Sequence, residues 1–183
     1  MTRMDRWIQK KRIQRVMRHI PDGITILDIG CFQGELFSAM GKRLGKGFGM
    51  DPLLSEPIEK PGYTLMKGWF PDDWKIKTAL HCITMLAVLE HIPASLQSNL
   101  AKRTSEILLP GGLLILTVPS KKADIFLKLL KKMGMIHGMS LEEHYGFDPA
   151  DTKMLFESAG FSLKKHEAFQ FGLNNLFVFK RPD

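Results

Sequence analysis

Ile24-Thr-Ile-Leu-Asp28-Ile-Gly30-Cys-Phe-Gln-Gly34 is the stretch on which the reading of the whole chain turns. Ile24, Ile26, Leu27 and Ile29 make a short, almost continuous apolar run, the pattern of a strand buried on both faces of a parallel sheet. The run stops at Gly30. Leu36, Phe37, Met40 and Leu44 then follow at helical spacing, and Lys42, Arg43 and Gly45 supply stop signals. Strand, glycine turn, helix is a ligand-binding geometry: glycine allows close backbone approach, and the first turn of the helix offers free N–H groups at the carboxyl end of the strand.

Outward from this stretch, Gly47-Phe-Gly-Met-Asp51-Pro52 reads as a second strand ending in a carboxylate. Asp51 lies about twenty residues past Gly30, the separation at which a dinucleotide-type βαβ unit places an acid against ribose hydroxyls. Tyr63 to Met66 suggests a third strand, His81 to Leu86 a fourth running into Leu89-Glu90-His91, and Leu113 to Val118 a fifth preceded by Leu109-Pro-Gly-Gly.

These motifs, in this order, resemble the class I S-adenosylmethionine-dependent methyltransferases, specifically the small-molecule branch in which the fourth strand ends in a Leu-Glu-His-like turn. Asp28-Ile-Gly30-Cys-Phe32-Gln-Gly34 matches the family's acidic residue and Gly-x-Gly-x-Gly turn at two of three glycines, with Phe32 at the middle one. The resemblance implies a Rossmann-like α/β fold. A mostly parallel seven-stranded sheet with helices on both faces and an antiparallel C-terminal end is expected, as one domain over residues 1–183. It also implies S-adenosylmethionine as cofactor. The implied binding set is Asp28, Gly30, Cys31, Phe32 and Gly34 in the turn, Asp51 and Pro52 after the second strand, Trp69 and Phe70 after the third, and Leu86 at the end of the fourth. Gly30 is expected to exclude any side chain because one would meet the cofactor. Trp69 and Phe70 either border the adenine, with Asp72 or backbone giving a polar contact, or pack in the core.

Methyl transfer from a sulfonium needs alignment and exclusion of water rather than a protein nucleophile. A base helps when the acceptor is a hydroxyl or an acidic carbon. His91 is the first candidate, with His144 and Tyr145 as second choices, although His91 equally suits a loop-filling role beside Pro93. Glu90 is expected to sit favourably at the start of the following helix, whose buried stripe reads as Leu96, Leu100, Ile107 and Leu108. Pro52 to Pro61 reads as a short irregular helix, and Asp148 to Gly160, Phe161 to Phe169 and Leu176 to Phe179 as helix, strand and strand.

The net charge is +7, but residues 1–18 carry +6 of it. The body is therefore nearly balanced, which argues against a broad nucleic-acid face and leaves a small-molecule or lipid-linked acceptor as the expected partner. The nucleic-acid methyltransferase alternative also lacks the family's Asn/Asp-Pro-Pro-aromatic motif, since Met85-Leu86-Ala87-Val88 stands there. A methyltransferase-like scaffold that does not use the cofactor is a third class. Residues 1–20 read as a leading amphipathic helix that either covers the sheet or makes peripheral contact with an anionic membrane or polymer. Residues 119–147 read as a second basic amphipathic segment, expected to be either a lid with the acceptor pocket or a surface helix. Cys31 and Cys82 imply no disulfide framework, no metal cluster is expected, and the absence of a signal-like or spanning apolar run makes a cytoplasmic protein the expectation.

Overall fold

The computed structural model describes residues 3–120, 122 and 148–183. An eight-stranded sheet runs through it in the order β3-β4-β2-β1-β5-β6-β8-β7. The chain enters through helix α1 (Arg3–Val16) and strand β1 (Thr25–Ile29), then helix α2 (Glu35–Met40), β2 (Lys46–Asp51), β3 (Ile58–Lys60), β4 (Tyr63–Lys67) and β5 (Leu80–Leu86). Helix α3 (Ala94–Ile107), β6 (Leu108–Pro119), helix α4 (Asp151–Ser158), β7 (Ser162–Phe169) and β8 (Asn174–Lys180) complete it. Neighbours from β4 to β6 pair in parallel, and β8 and β7 add antiparallel to β6.

The apolar runs of the central strands are explained by burial on two faces. Ile26, Cys82, Ile115, Leu176 and Val178 face α1 and α2, packing with Ile13, Val16, Leu36 and Phe37. Their strand neighbours Leu27, Ile83, Leu114, Leu116 and Phe177 face the other way, with Leu100 and Ala101 of α3 and Phe156 of α4. Each fully buried Leu, Ile or Phe contributes roughly 1.5–3 kcal/mol, so the continuous hydrophobic strands are the main source of stability.

Three readings are corrected. The sheet has eight strands, not seven, because Pro52 to Pro61 holds strand β3 in a hairpin with β4 rather than a helix. Prolines at 52, 57 and 61 leave no run long enough for a helical turn to propagate. Leu96 is 56 % exposed, and the buried face of α3 is Leu100, Ala101 and Thr104. Leu108, expected in that helix, begins β6. The expected lid segment, with His144 and Tyr145, lies outside the described residues apart from Pro119, Ser120 and Lys122. Among the described residues, no helix is long and apolar enough to cross a membrane.

Packing between the strands and the turn after β1 is tight at Gly49 in β2. A Cβ there would stand 2.6 Å from Cys31 Sγ and 2.6 Å from Leu65 Cδ2. Gly49→Ala is expected to destabilise the protein by about 1–3 kcal/mol through this overpacking, read as a lower urea midpoint at unchanged m-value. An unshifted midpoint would mean that the β1 turn can move freely away from β2.

Candidate functional site

Strand order reverses between β1 and β5: the chain builds outward from β1 to β2, then returns to place β5 on β1's other side. The carboxyl ends of strands at such a switch point diverge and leave a crevice. The turn after β1 sits in it. Gly30 has φ +73° and its N–H donates to the Met50 carbonyl at 2.8 Å. A Cβ on Gly30 would lie 2.3 Å from Val88 Cγ2. Glycine is thus required by the loop after β5 and by the backbone conformation, before any ligand is considered. Phe32 is left-handed at φ +47°, a conformation that explains why glycine suits this position. Its N–H donates to Asp51 Oδ2 at 2.8 Å, and Leu53 N–H donates to Asp51 Oδ1 at 2.9 Å. An ionised carboxylate has about four lone-pair sites, so two remain for ligand hydroxyls. Gly34, at φ +80°, then starts α2 against Tyr63 and Leu65.

Between this turn and α1 lies a cavity of about 40 Å³, room for a few water molecules or one small polar group. Asp28, Gly30, Cys31 and Phe32 line one side, Glu35, Leu36 and Leu86 the base, and Gln9, Arg12 and Ile13 of α1 the other wall. The Arg12 Nε is cut off from solvent and has no hydrogen-bond partner. Burial pulls the Arg12 pKa below its usual value, and the charge of Glu90 opposes that shift. Asp28 is pushed up to about 7, chiefly by burial; the Thr84 hydroxyl donating to its Oδ1 at 2.6 Å works the other way, and the charges of Glu35 and Asp51 add to the rise. Burial also pushes the Cys31 thiol up, and its sulfur packs beside Gly49, so it is no nucleophile.

The structure therefore gathers Asp28, Gly30, Cys31, Phe32 and Leu86 around one cavity, with Asp51 bonded to the same turn. Pro52, Trp69 and Phe70 stand on the neighbouring rim: Gly68 N–H donates to the Asp51 carbonyl at 3.3 Å, which brings the loop after β4 alongside. Trp69 is 66 % exposed and available to a ligand, whereas Phe70 packs on the core. Asp73 closes this loop, its Oδ2 accepting from Trp69 N–H at 2.8 Å. Phe32 and Leu53, both exposed, project from backbone bonded to the Asp51 carboxyl group, and the exposed Trp69 follows Gly68, which is bonded to the Asp51 carbonyl. His91 is exposed in the short 3-10 turn Leu89–His91 after β5. Glu90 is buried and its charge acts on Arg12, so it belongs to the site's electrostatics more than to the start of α3. Arg12 was not legible as a site residue, although one signal existed: it shares a helical face with Ile13, Val16 and Ile20, a cation inside an apolar stripe.

A family model described as a methyltransferase domain matches residues 3–166. No curated protein matches the chain in sequence. Among solved structures, a Bacillus halodurans protein assigned as a methyltransferase is 15 % identical with a TM-score of 0.71, covering 93 % of this chain and 99 % of its own. Magnesium protoporphyrin IX methyltransferase from Synechocystis, solved with bound SAH, is 18 % identical at TM-score 0.65, covering 96 % and 82 %. The cyclopropane synthase MmaA2 of Mycobacterium tuberculosis is 14 % identical at 0.67, covering 94 % and 84 %. These likenesses establish the Rossmann-like fold.

Asp28 gives the site a pH signature. Its folded pKa of about 7 lies above the ordinary 3.8, so its contribution to the stability of the unliganded protein is complete below about pH 4 and is lost as pH rises through about 7. Asp28→Asn, which keeps an acceptor for Thr84, is expected to remove that decline in denaturant titrations across the window. A decline of the same size in the variant would place its origin elsewhere.

Proposed function

Since the chain belongs to the methyltransferase-domain family and uses S-adenosylmethionine, we propose that it methylates a small-molecule or lipid-linked acceptor, with the cavity beside Arg12 holding the cofactor's amino-acid end. The observation that carries the site assignment is that Arg12, a buried cation whose Nε has no partner, lines the same cavity as Asp28 and the Gly30 turn. An α-amino acid zwitterion offers such a place what it lacks: a carboxylate for the guanidinium and an ammonium for the buried acid. Asp51 would take the ribose hydroxyls on its remaining lone pairs. Trp69 and Leu53, exposed beside it, would cover the purine.

S-adenosylmethionine supplies the electrophilic methyl group. The chain's part is to hold and orient it and to keep water from the crevice, and the acceptor must reach the methyl in line at roughly 3–3.5 Å. His91, on the carboxyl edge after β5, is the proposed base for an acceptor that must lose a proton; His144 and Tyr145 remain the second choices. The small-molecule class is supported by relatives of the same fold, one acting on magnesium protoporphyrin IX and one a cyclopropane synthase. The near-balanced charge of residues 19–183 supports it over nucleic acid.

The test separates the two ends of the cofactor. Arg12→Gln is expected to lower affinity for S-adenosylhomocysteine by about 1.5–3 kcal/mol, about ten- to a hundredfold, while leaving affinity for 5′-methylthioadenosine, which lacks the amino-acid end, almost unchanged. Equal losses for both ligands would refute the placement of Arg12. For the acceptor, labelled methyl transfer into fractionated extract should mark the lipid or small-molecule pool, and His91→Ala should cut turnover at saturating cofactor without changing cofactor affinity. Label found in RNA alone would overturn the acceptor class.

A further inference from the structure

Among the described residues, four that are not glycine have left-handed backbone, and they fall into two pairs: Phe32 and Ala87 beside the cofactor turn, and Gln170 and Phe171 at the tip of the β7–β8 hairpin. The second pair has no part in the site described above. Two successive left-handed residues are costly unless something holds them, and here Gln170 is held while Phe171 is presented. The Gln170 Nε2 donates to the Ile8 carbonyl of α1 at 3.0 Å, and its Oε1 accepts from Asn174 at 2.6 Å. Phe171, the next residue, is 96 % exposed. Across the clamp, Trp7 precedes Ile8 and is 52 % exposed, with Lys11 Nζ 6.0 Å from its ring centre. A second tie, Arg15 Nε to Glu167 Oε1 at 2.6 Å, joins the same helix to the same hairpin. The hairpin tip is therefore fixed against α1, and each of the two carries an exposed aromatic ring.

The charges on α1 beside Trp7 are mostly positive, Asp5 being the one acid in that helix. Arg6, Lys10 and Lys11 are exposed on α1 and Arg18 just beyond its end, while Glu167 on β7 is paired with both Arg15 and Lys165. The surface also has a defined place on the sheet. Asn174, just after the tip, pairs with Pro119 at the carboxyl end of β6, so the tip stands on the edge that carries the Gly30 turn, Asp51 and His91. The inner side of α1 walls the cofactor cavity through Gln9, Arg12 and Ile13.

The geometry points to this face as an interfacial docking surface for an anionic lipid membrane, with Trp7 and Phe171 entering the headgroup region and the α1 cations meeting lipid phosphates. Exposed aromatic rings beside a helix rich in Lys and Arg suit an interface that is apolar below and anionic above. A single-stranded nucleic acid would instead require a groove in which rings and cations alternate along a track. Docked in this way, the carboxyl edge of the sheet faces the bilayer. The inference stands apart from the acceptor assignment, since binding to lipid needs neither cofactor nor turnover.

Vesicle flotation of the full chain tests it, using phosphatidylcholine vesicles with and without phosphatidylglycerol. Binding is expected only to the anionic vesicles and is expected to fall steeply with salt. Each exposed cation reversed, as in Lys10→Glu or Lys11→Glu, should cost roughly fivefold or more in partitioning. Trp7→Ser with Phe171→Ser should lower partitioning at least tenfold at an unchanged melting temperature and unchanged S-adenosylhomocysteine affinity, because both rings are exposed. A Phe171→Trp reporter should shift its emission to the blue on anionic vesicles. No flotation, equal binding to neutral vesicles, no effect of the double substitution, or tighter binding to single-stranded RNA than to anionic vesicles at matched salt would each overturn the proposal.

Discussion

The carboxylate of Asp51 ties the ends of β1 and β2 together, and the site is built on that tie. Its two oxygens accept N–H groups from Phe32 and Leu53 at 2.8 and 2.9 Å. Hydrogen bonds to a charged group contribute roughly 1.5–3 kcal/mol each, while a left-handed non-glycine residue costs roughly 1–2 kcal/mol. One such bond is enough to hold Phe32 in a conformation that its side chain disfavours. The glycine missing from the middle of the turn is thus replaced by an acceptor that fixes the backbone from outside.

Helix α1 has two unrelated duties that its sequence superimposes. Ile13, Val16 and Ile20 bury against Ile26, Leu36 and Val178, and at roughly 1.5–3 kcal/mol each they secure the helix far better than its partly exposed ion pair to Glu167 can. Once the helix is fixed by those residues, Arg12 has no freedom to reach water with its Nε. A buried cation with an unused donor is costly, and the charge of the buried Glu90 offsets part of that cost.

The legible part of the fold was the part whose burial follows from chain-local pattern. β1, β2, β5 and β6 are buried on both faces, whereas β4 buries only Leu65, and no neighbour needs to be known to read Ile26-Leu27 or Leu114-Ile115-Leu116 as interior strand. Gly30, Phe32, Asp51 and Leu86 were legible because the turn and the strand end carry their spacing in sequence. What failed depended on tertiary partners or on length. β3 is three residues long and is specified by its pairing with β4, not by its own pattern. Leu96 looked like a core residue only while the rotation of α3 on the sheet was unknown. Glu90 and Arg12 lie far apart in sequence, so their electrostatic contact has no local trace. Phe171 in a turn reads as incidental until the Gln170 clamp to Ile8 shows which surface it extends.

Topology explains why the two pairs of left-handed residues lie on one side of the protein. Parallel strands β1, β2, β4, β5 and β6 all end at the same edge, so every connection that leaves it is free of the sheet's register and can be shaped for a ligand. β8 returns antiparallel to β6, which sends the β7–β8 hairpin tip to that same edge rather than to the opposite one. α1 runs back from the amino end of β1, and its contacts with Gln170 and with the cavity bring its first turns there too. Backbone strain can be held at this edge because it is supported from below by the doubly buried strands. It could not be held where the strands themselves depend on regular pairing. The arrangement confines irregular, ligand-shaped backbone to one rim of a regular sheet, so that whatever approaches the hairpin tip also approaches the Gly30 turn.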